Sequence, residues 1–255
     1  EDALAQVERK LSKAQRAEVR KMTPAQLLTR FESLNDKHRS EQVLDEIGAW
    51  LEGKSAPKPG SNDWCGAKYL QGTARRKLRD HTAAARSFEA FLDACKGHRD
   101  TVTALFSGAR SAWTAHDDVR ALRWFERVWK EFASHSFADD SLVYAARIHE
   151  EAGRHEASRK LLAFQIERFP KGDMLADAHW QLFHRDFAAG RYARAVAYAD
   201  KVKQSGEDTL YTRGRLSYFR ARALEEQGKR KVAAAGFIAL LDEAPPGALV
   251  LLAGD

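Results

Sequence analysis

The chain has 255 residues, of which 31% are charged and 44% hydrophobic, and its formal net charge is +6 at pH 7. This length can bury a substantial core in one large or two smaller domains, and no run approaches the roughly 18 consecutive apolar residues of a membrane span. The basic excess suits an acidic partner, but acidic residues are interleaved with the basic ones and no dense Lys/Arg block indicates nucleic acid.

The N-terminal quarter predicts three amphipathic helices and a linker. Residues 1–20 place apolar side chains on one helical stripe. Thr23, followed by a proline, has the pattern of an N-cap, and Ser40 is expected to start the third helix. The segment 53–63, GKSAPKPGSND, is rich in Pro, Gly and Ser and predicts a linker.

A phrase that ends in glycine recurs along the rest of the chain. Gly153, Gly190 and Gly228 each close a helical segment, at intervals of 37 and 38 residues, and similar steps backwards reach the polar turn residues His116 and Asp80. A small residue follows each turn five places on: Ala85, Ala121, Ser158, Ala195 and Ala233. Strand signals are almost absent, so each unit is predicted to be two helices joined by a short turn.

This unit resembles the tetratricopeptide repeat, with small residues at Ala145, Ala146 and Ala221 and a proline after a second helix, as at Pro170. The resemblance implies an all-α, right-handed superhelix of stacked antiparallel hairpins, here with a period of about 37 residues. The expected division is a helical cap with its linker over 1–62 and about five hairpins over 63–255.

The two cysteines fall where a hairpin would bring them together. Cys65 lies at the start of a first helix, and Cys95 lies at the end of the second helix that follows it. Isolated thiols are the alternative. A disulfide would favour an oxidising compartment, here the periplasm, because reduced cytosol does not keep such bonds. The chain shows no signal peptide, so it is expected to be either cytoplasmic or a mature form.

A search for catalytic or metal-binding patterns finds none. His149 starts HEEAG, with Gly153 where a zinc-protease motif needs its second histidine. His179 and His184 are five residues apart, which splays them around a helix. No nucleophile has a recognisable base beside it, and no phosphate-binding glycine loop occurs. We therefore expect no catalytic residue, no metal site and no cofactor in this chain.

The repeat frame does predict a ligand-binding groove along the first helices of the hairpins. Basic or titratable residues recur at Arg110, Arg147, His184 and Arg222. Four residues before each lies an apolar or aromatic companion: Phe106, Val143, Trp180 and Tyr218. Such a groove would offer cations and rings to an extended acidic ligand or a glycan. The alternative is that the rings pack between repeats while the cations are solvated or paired with nearby glutamates.

A further resemblance covers residues 136–196 and 214–228. These stretches resemble the superhelical domain of soluble lytic murein transglycosylases, whose last repeat carries an aromatic-Arg-Ala-Arg-Ala-Leu phrase, matched from Tyr218 to Leu224. Pro245 and the Leu-Leu-Ala at 251–253 also match, but Ala248 and Leu249 stand where the family has a tyrosine pair. The family's catalytic Gly-Leu-Met-Gln phrase is absent from this chain. The Glu-Ser pair at Glu32 and Ser33 lacks that context and falls in an N-terminal helix, so the catalytic role is not assigned to it.

The resemblance implies a non-catalytic, periplasmic superhelix that positions a peptidoglycan strand for a downstream lysozyme-like domain. The alternative function is a tetratricopeptide-type scaffold of the cell envelope that binds a protein or peptide partner.

Overall fold

The computed structural model describes residues 21–205 and 210–243, and these form twelve helices and no strand. The first six are α1 (Pro24–Asp36), α2 (Ser40–Leu51), α3 (Asn62–Lys77), α4 (His81–Ala94), α5 (Thr101–Thr114) and α6 (Asp118–Glu131). The last six are α7 (Phe137–Glu151), α8 (His155–Arg168), α9 (Leu175–Ala188), α10 (Tyr192–Ser205), α11 (Leu210–Glu226) and α12 (Arg230–Glu243). The predicted all-α array of helical hairpins is confirmed. Among the described residues, no helix is long and apolar enough to cross a membrane.

The small residues of the repeat lie where each second helix packs against its partner. Ala85, Ala121, Ser158, Ala195 and Ala233 are all buried. Small side chains at these places let two helices approach closely, which explains why the sequence keeps them at the repeat interval. The first helices contribute Ala145, Ala146 and Ala221 to the same packing, and these three are fully buried.

The turns between paired helices share a left-handed residue. Gly153, Gly190 and Gly228 have φ of 71°, 70° and 76°, as their place after a helix predicts. Two earlier turns use His116 and Arg79, with φ of 61° and 62°. The predicted turn residue Asp80 instead caps α4, since its carboxylate accepts a hydrogen bond from the Ala83 amide at 3.1 Å.

The starts of α1 and α2 both match the sequence prediction. Thr23 caps α1, and its hydroxyl and the Gln26 side chain exchange hydrogen bonds with each other's backbone amides. Helix α2 does begin at Ser40, but the Ser40 hydroxyl is buried and donates to the Asn35 side chain at 2.9 Å. Ser40 therefore joins α2 to α1 and does not cap its own helix.

The chain divides into two compact units, unit 1 up to Ser141 and unit 2 from Leu142, so the division falls within α7. In unit 1, one cluster of buried residues joins α1, α2 and α3: Leu27, Phe31, Val43, Ile47, Leu70 and Ala74 are among its members. The predicted helical cap thus shares a core with the first repeat. The helix predicted within residues 1–20, and Pro245 with the residues after it, lie outside the described residues.

Unit 2 contains the last three hairpins except the first turn of α7. Val143, Ala146, Leu162 and Ala178 form one buried cluster across α7, α8 and α9. A second cluster joins α9, α10 and α11 through Phe183, Ala195, Ala199, Val202 and Leu216. Second helices therefore pack within the unit against both their partner and the next first helix.

Candidate functional site

A disulfide joins Cys65 and Cys95 in unit 1, with their Cα atoms 5.8 Å apart. Cys65 lies in the first turn of α3, and Cys95 follows the last residue of α4. The bond therefore links the two helices at the end of the hairpin opposite its turn, as the sequence positions predict. These are the only two cysteines of the chain, so neither is free.

In unit 1, the predicted groove residues separate into a core residue and a surface cation. Phe106 is only 7% exposed and its ring stacks on Phe137 at 4.3 Å between centroids. It therefore belongs to the core and offers no platform to a ligand. Arg110 is exposed and its guanidinium lies 5.8 Å from the Phe106 ring centre. On the neighbouring α3, burial of the Arg76 side chain lowers its pKa most, and the positive charge of Arg110 lowers that pKa further.

In unit 2, the three predicted basic positions lie on successive first helices and are partly or fully exposed. Arg147 on α7 faces Asp177 on α9 at 3.8 Å. Arg222 on α11 lies 3.5 Å from Glu225 of its own helix. His184 on α9 is exposed beside the Trp180 ring. The ion pairs of Arg147 and Arg222 are long and partly solvated, and such pairs contribute about 0–1 kcal/mol.

The aromatic companion of Arg147 is not the predicted one. Val143 is fully buried, whereas the adjacent Tyr144 is partly exposed and its ring centre lies 5.7 Å from the Arg147 guanidinium. A spacing of four residues alone cannot separate these two positions, since both lie one turn from Arg147. The tyrosine itself was the available signal, because a phenol suits a partly solvated position better than valine does.

Trp180 on α9 is the centre of an aromatic cluster that links α9 to α11. Its ring centroid lies 4.9 Å from Phe219 and 5.9 Å from Phe183. The Arg215 guanidinium stacks over the indole at 3.7 Å, a close cation–π contact. Tyr218 is partly buried and contacts Phe219 and Phe237 at 5.2 and 5.7 Å.

Arg215 was missed at the sequence level, although it falls on the predicted helical face. It lies three residues before Tyr218 and seven before Arg222, so the three share one stripe of α11. The exposed His184 ring has its pKa lowered first by burial and then by the positive charge of Arg215. Both effects favour the neutral form of the His184 imidazole, while Arg215 supplies the local charge.

A cleft of about 720 Å³ opens in unit 2 between the start of α8 and the second half of α9. We call it the α8–α9 cleft; its lining includes His155, Arg159, Leu162, Gln181, Arg185 and Arg194. Trp180 and His184 also line it.

Ion pairs hold part of this lining in place. Glu150 accepts from Arg185 at 3.1 Å and contacts the His155 ring at 2.8 Å. Asp186 is shared by Arg191 at 2.8 Å and Arg194 at 3.5 Å. Each of these two carboxylates therefore serves two basic or titratable side chains.

Comparison with known proteins agrees with the hairpin architecture. The chain is similar to a solved tetratricopeptide repeat protein from Parabacteroides merdae ATCC 43184, with a TM-score of 0.57 and 16% identity over 88% of this chain and 80% of that one. Two structures of kinesin light chain TPR-like repeats from Podosopora anserina are also similar. The first, a single-substitution variant, has a TM-score of 0.39 and 14% identity, over 87% of this chain and 96% of that one. The second has a TM-score of 0.37 and 13% identity, over 86% and 95%.

No protein-family model and no curated protein matches the chain. At 16% identity the likeness to the Parabacteroides protein concerns the fold alone. The chain is therefore a tetratricopeptide-like array of helical hairpins.

Proposed function

We propose that this chain is a protein-interaction scaffold and that unit 2 binds an extended, acidic segment of a partner protein. One observation carries the proposal. The first helices of three successive hairpins each place an aromatic ring one turn from a basic or titratable side chain. We call these residues the aromatic–basic stripe: Tyr144 and Arg147 on α7, Trp180 and His184 on α9, and Tyr218 and Arg222 on α11.

The stripe is continuous within unit 2 because neighbouring first helices contact each other through it. Arg147 reaches Asp177 across the α7–α9 contact, and Arg215 reaches Trp180 across the α9–α11 contact. A ligand that follows the stripe would meet the same pair of groups at each helix. Recurrence of this kind suits an extended polypeptide, whose own side chains repeat along its length, better than a compact small molecule.

The charge of the stripe favours acidic residues in that polypeptide. Arg147 and Arg222 pair with carboxylates only at 3.8 and 3.5 Å, and their side chains are 39% and 44% exposed. A carboxylate from a partner can replace such weak pairs, with two parallel hydrogen bonds to the guanidinium. Tyr144 and Tyr218 are partly buried beside these cations and offer apolar contact to the same segment.

Selection of random twelve-residue peptides displayed on phage, with the purified chain as bait, tests the proposal. We expect the enriched sequences to be rich in Asp and Glu and to contain apolar residues between them. The variant R147A/R222A should bind the best peptide about ten-fold more weakly, since each arginine contributes about 1 kcal/mol or less at an exposed site.

The matched control is R168A/R230A, which removes two exposed arginines from the second helices α8 and α12. Its affinity should stay within about two-fold of the parent chain, and both variants should keep the parent's helical circular dichroism. Enrichment of basic peptides, or no enrichment at all, would contradict the proposal. If R147A/R222A bound the peptide as tightly as the parent chain, the aromatic–basic stripe would not be the binding surface.

Peptidoglycan is the second candidate ligand, favoured by the Cys65–Cys95 disulfide. A structural disulfide persists in an oxidising compartment, and we propose the periplasm, where the glycan strand is the main extended polymer. The transglycosylase resemblance points the same way, although the similar solved structures share only the repeat fold. Sedimentation with purified sacculi tests this candidate: retention in the pellet, lost in R147A/R222A, would assign the stripe to glycan, and chain left in the supernatant would exclude it.

A further inference from the structure

We infer that the α8–α9 cleft is a subsite that takes one Asp or Glu side chain of the peptide bound along the aromatic–basic stripe. The inference rests on the proposed function and extends it, because the cleft lies to one side of the stripe and most of its lining belongs to no predicted site. Its polar groups, its charge and its position each support this assignment.

The first support is a set of buried donors that lack acceptors. Gln181 Nε2 and Arg185 Nε line the cleft region and have no hydrogen-bonding partner among the described residues. A buried donor without an acceptor costs about 1–3 kcal/mol. Both belong to α9. Rotation of the Gln181 side chain toward the cleft would give its amide a ligand carboxylate as acceptor, whereas Arg185 is held by Glu150 at 3.1 Å. A ligand that accepts from the Gln181 amide would recover this free energy.

The second support is the charge of the lining. Four arginines line the cleft against three carboxylates, those of Glu150, Glu156 and Asp186. Arg159 is exposed, and no ion pair or hydrogen bond of its side chain occurs within the described part of the chain. Arg194 shares Asp186 with a second arginine and lies 3.5 Å from it. The cleft therefore holds two cations that can pair with an added carboxylate.

The third support is continuity with the stripe. Trp180 and His184 belong to the stripe on α9 and also line the cleft. A peptide backbone that crosses α9 at these two residues passes the mouth of the cleft. One of its side chains can then enter while the neighbouring residues stay on the stripe. Since Leu162 lines the cleft with the polar groups, the methylene groups of a glutamate find an apolar surface there.

Fluorescence anisotropy with the acidic peptide enriched in the phage selection tests the subsite. The peptide carries fluorescein at its N-terminus and an amide at its C-terminus, so that, apart from the dye, its carboxylates are all on side chains. We compare the parent chain with R159Q/R194Q and with the control K160Q/K201Q. The control removes two exposed lysines from α8 and α10, the same helices, at positions that do not line the cleft.

We expect R159Q/R194Q to bind about ten-fold more weakly and K160Q/K201Q to stay within about two-fold of the parent chain. Single Glu-to-Gln or Asp-to-Asn peptides then identify the carboxylate that enters. One replacement should weaken binding to the parent chain but not to R159Q/R194Q, because the carboxylate and the arginines act on each other.

The outcomes separate the two proposals. If R147A/R222A weakens binding while R159Q/R194Q matches the parent chain, the stripe binds the peptide and the cleft does not, so this inference is wrong. R159Q/R194Q and K160Q/K201Q each remove two positive charges. If they weaken binding equally, the peptide responds only to the net charge of the chain, and the inference is also wrong. If no acidic peptide is enriched, the proposed function fails and the subsite fails with it.

Discussion

Gln165 on α8 is a buried polar residue at a position that the repeat otherwise fills with apolar side chains. Steps of 37, 37 and 38 residues connect Val128, Gln165, Val202 and Leu240, and all four are buried. Gln165 is 0% exposed, and neither its Nε2 nor its Oε1 has a hydrogen-bonding partner among the described residues. The substitution Gln165→Leu should therefore stabilise unit 2.

The expected magnitude follows from the two unpartnered atoms. Each buried polar group without a partner costs about 1–3 kcal/mol, and the lower value applies where the neighbours relax. Removing both groups gains about 2 kcal/mol, and burial of the leucine methyl groups adds about 1 kcal/mol. The change of side-chain shape costs up to about 1.5 kcal/mol. The net stabilisation is about 1.5–3 kcal/mol.

Urea unfolding followed by far-ultraviolet circular dichroism measures the effect. With a typical slope of about 2 kcal/mol per molar urea, the unfolding midpoint should rise by about 1 M. Gln227→Leu is the control, because Gln227 Nε2 already donates to the Ala223 carbonyl at 3.2 Å and its side chain is partly exposed. That variant should change the free energy of unfolding by no more than about 0.5 kcal/mol.

An unchanged or lower midpoint for Gln165→Leu would refute the reasoning. It would mean that the Gln165 amide is satisfied in solution, as by a buried water, and that its removal breaks hydrogen bonds. The same result would also weaken the argument that the α8–α9 cleft has buried hydrogen-bond donors without acceptors.

Three further predictions concern both units. Gly108→Ala should lower the free energy of unfolding by about 1–3 kcal/mol, because the new Cβ would lie 2.9 Å from the Trp124 ring. Gly48→Ala should raise that free energy by about 0.5–1 kcal/mol, because its Cβ would have nothing within 4 Å. Alanine at both positions of the Cys65–Cys95 disulfide should cost about 3–4 kcal/mol in urea unfolding, and the unreduced, unfolded parent chain should show no free thiol. Burial lowers the folded-state pKa of His184 most, and the charge of Arg215 lowers it further. Because the unfolded chain keeps a histidine pKa of about 6.5, the free energy of unfolding should fall as the pH drops below about 6.5. Arg215→Gln should raise the folded-state pKa of His184 in an NMR titration; an unchanged value would exclude contact between the two charges.

The sequence predicted the hairpins well because their signals are local. Glycine closes α7, α9 and α11 just after the last helical residues, and a small residue follows at a fixed distance in each partner helix. Helix–helix distance depends on side-chain size at the contact, so the small residues mark the contact directly. The cysteines were predictable for the same reason, since two ends of one hairpin are neighbours whatever else the fold does.

Local signals failed where two positions share a helical face but differ in depth. Val143 and Tyr144 both lie one turn from Arg147, and Phe106 has the same spacing from Arg110 as Trp180 has from His184. Whether such a ring is exposed depends on the helix that packs on it. Phe137, at the start of the first helix of the next hairpin, covers Phe106, and no spacing within α5 reveals that contact.

By itself, the sequence determined an all-α chain, the interval of its hairpins, the turn glycines and the pairing of its two cysteines. These properties follow from periodicity and from residues that act within one hairpin. Only the tertiary structure decided that Arg215 covers Trp180, that α8 and α9 leave a charged cleft, and that the chain divides within α7. These features depend on how one hairpin packs on the next, and such contacts join residues that no local pattern connects.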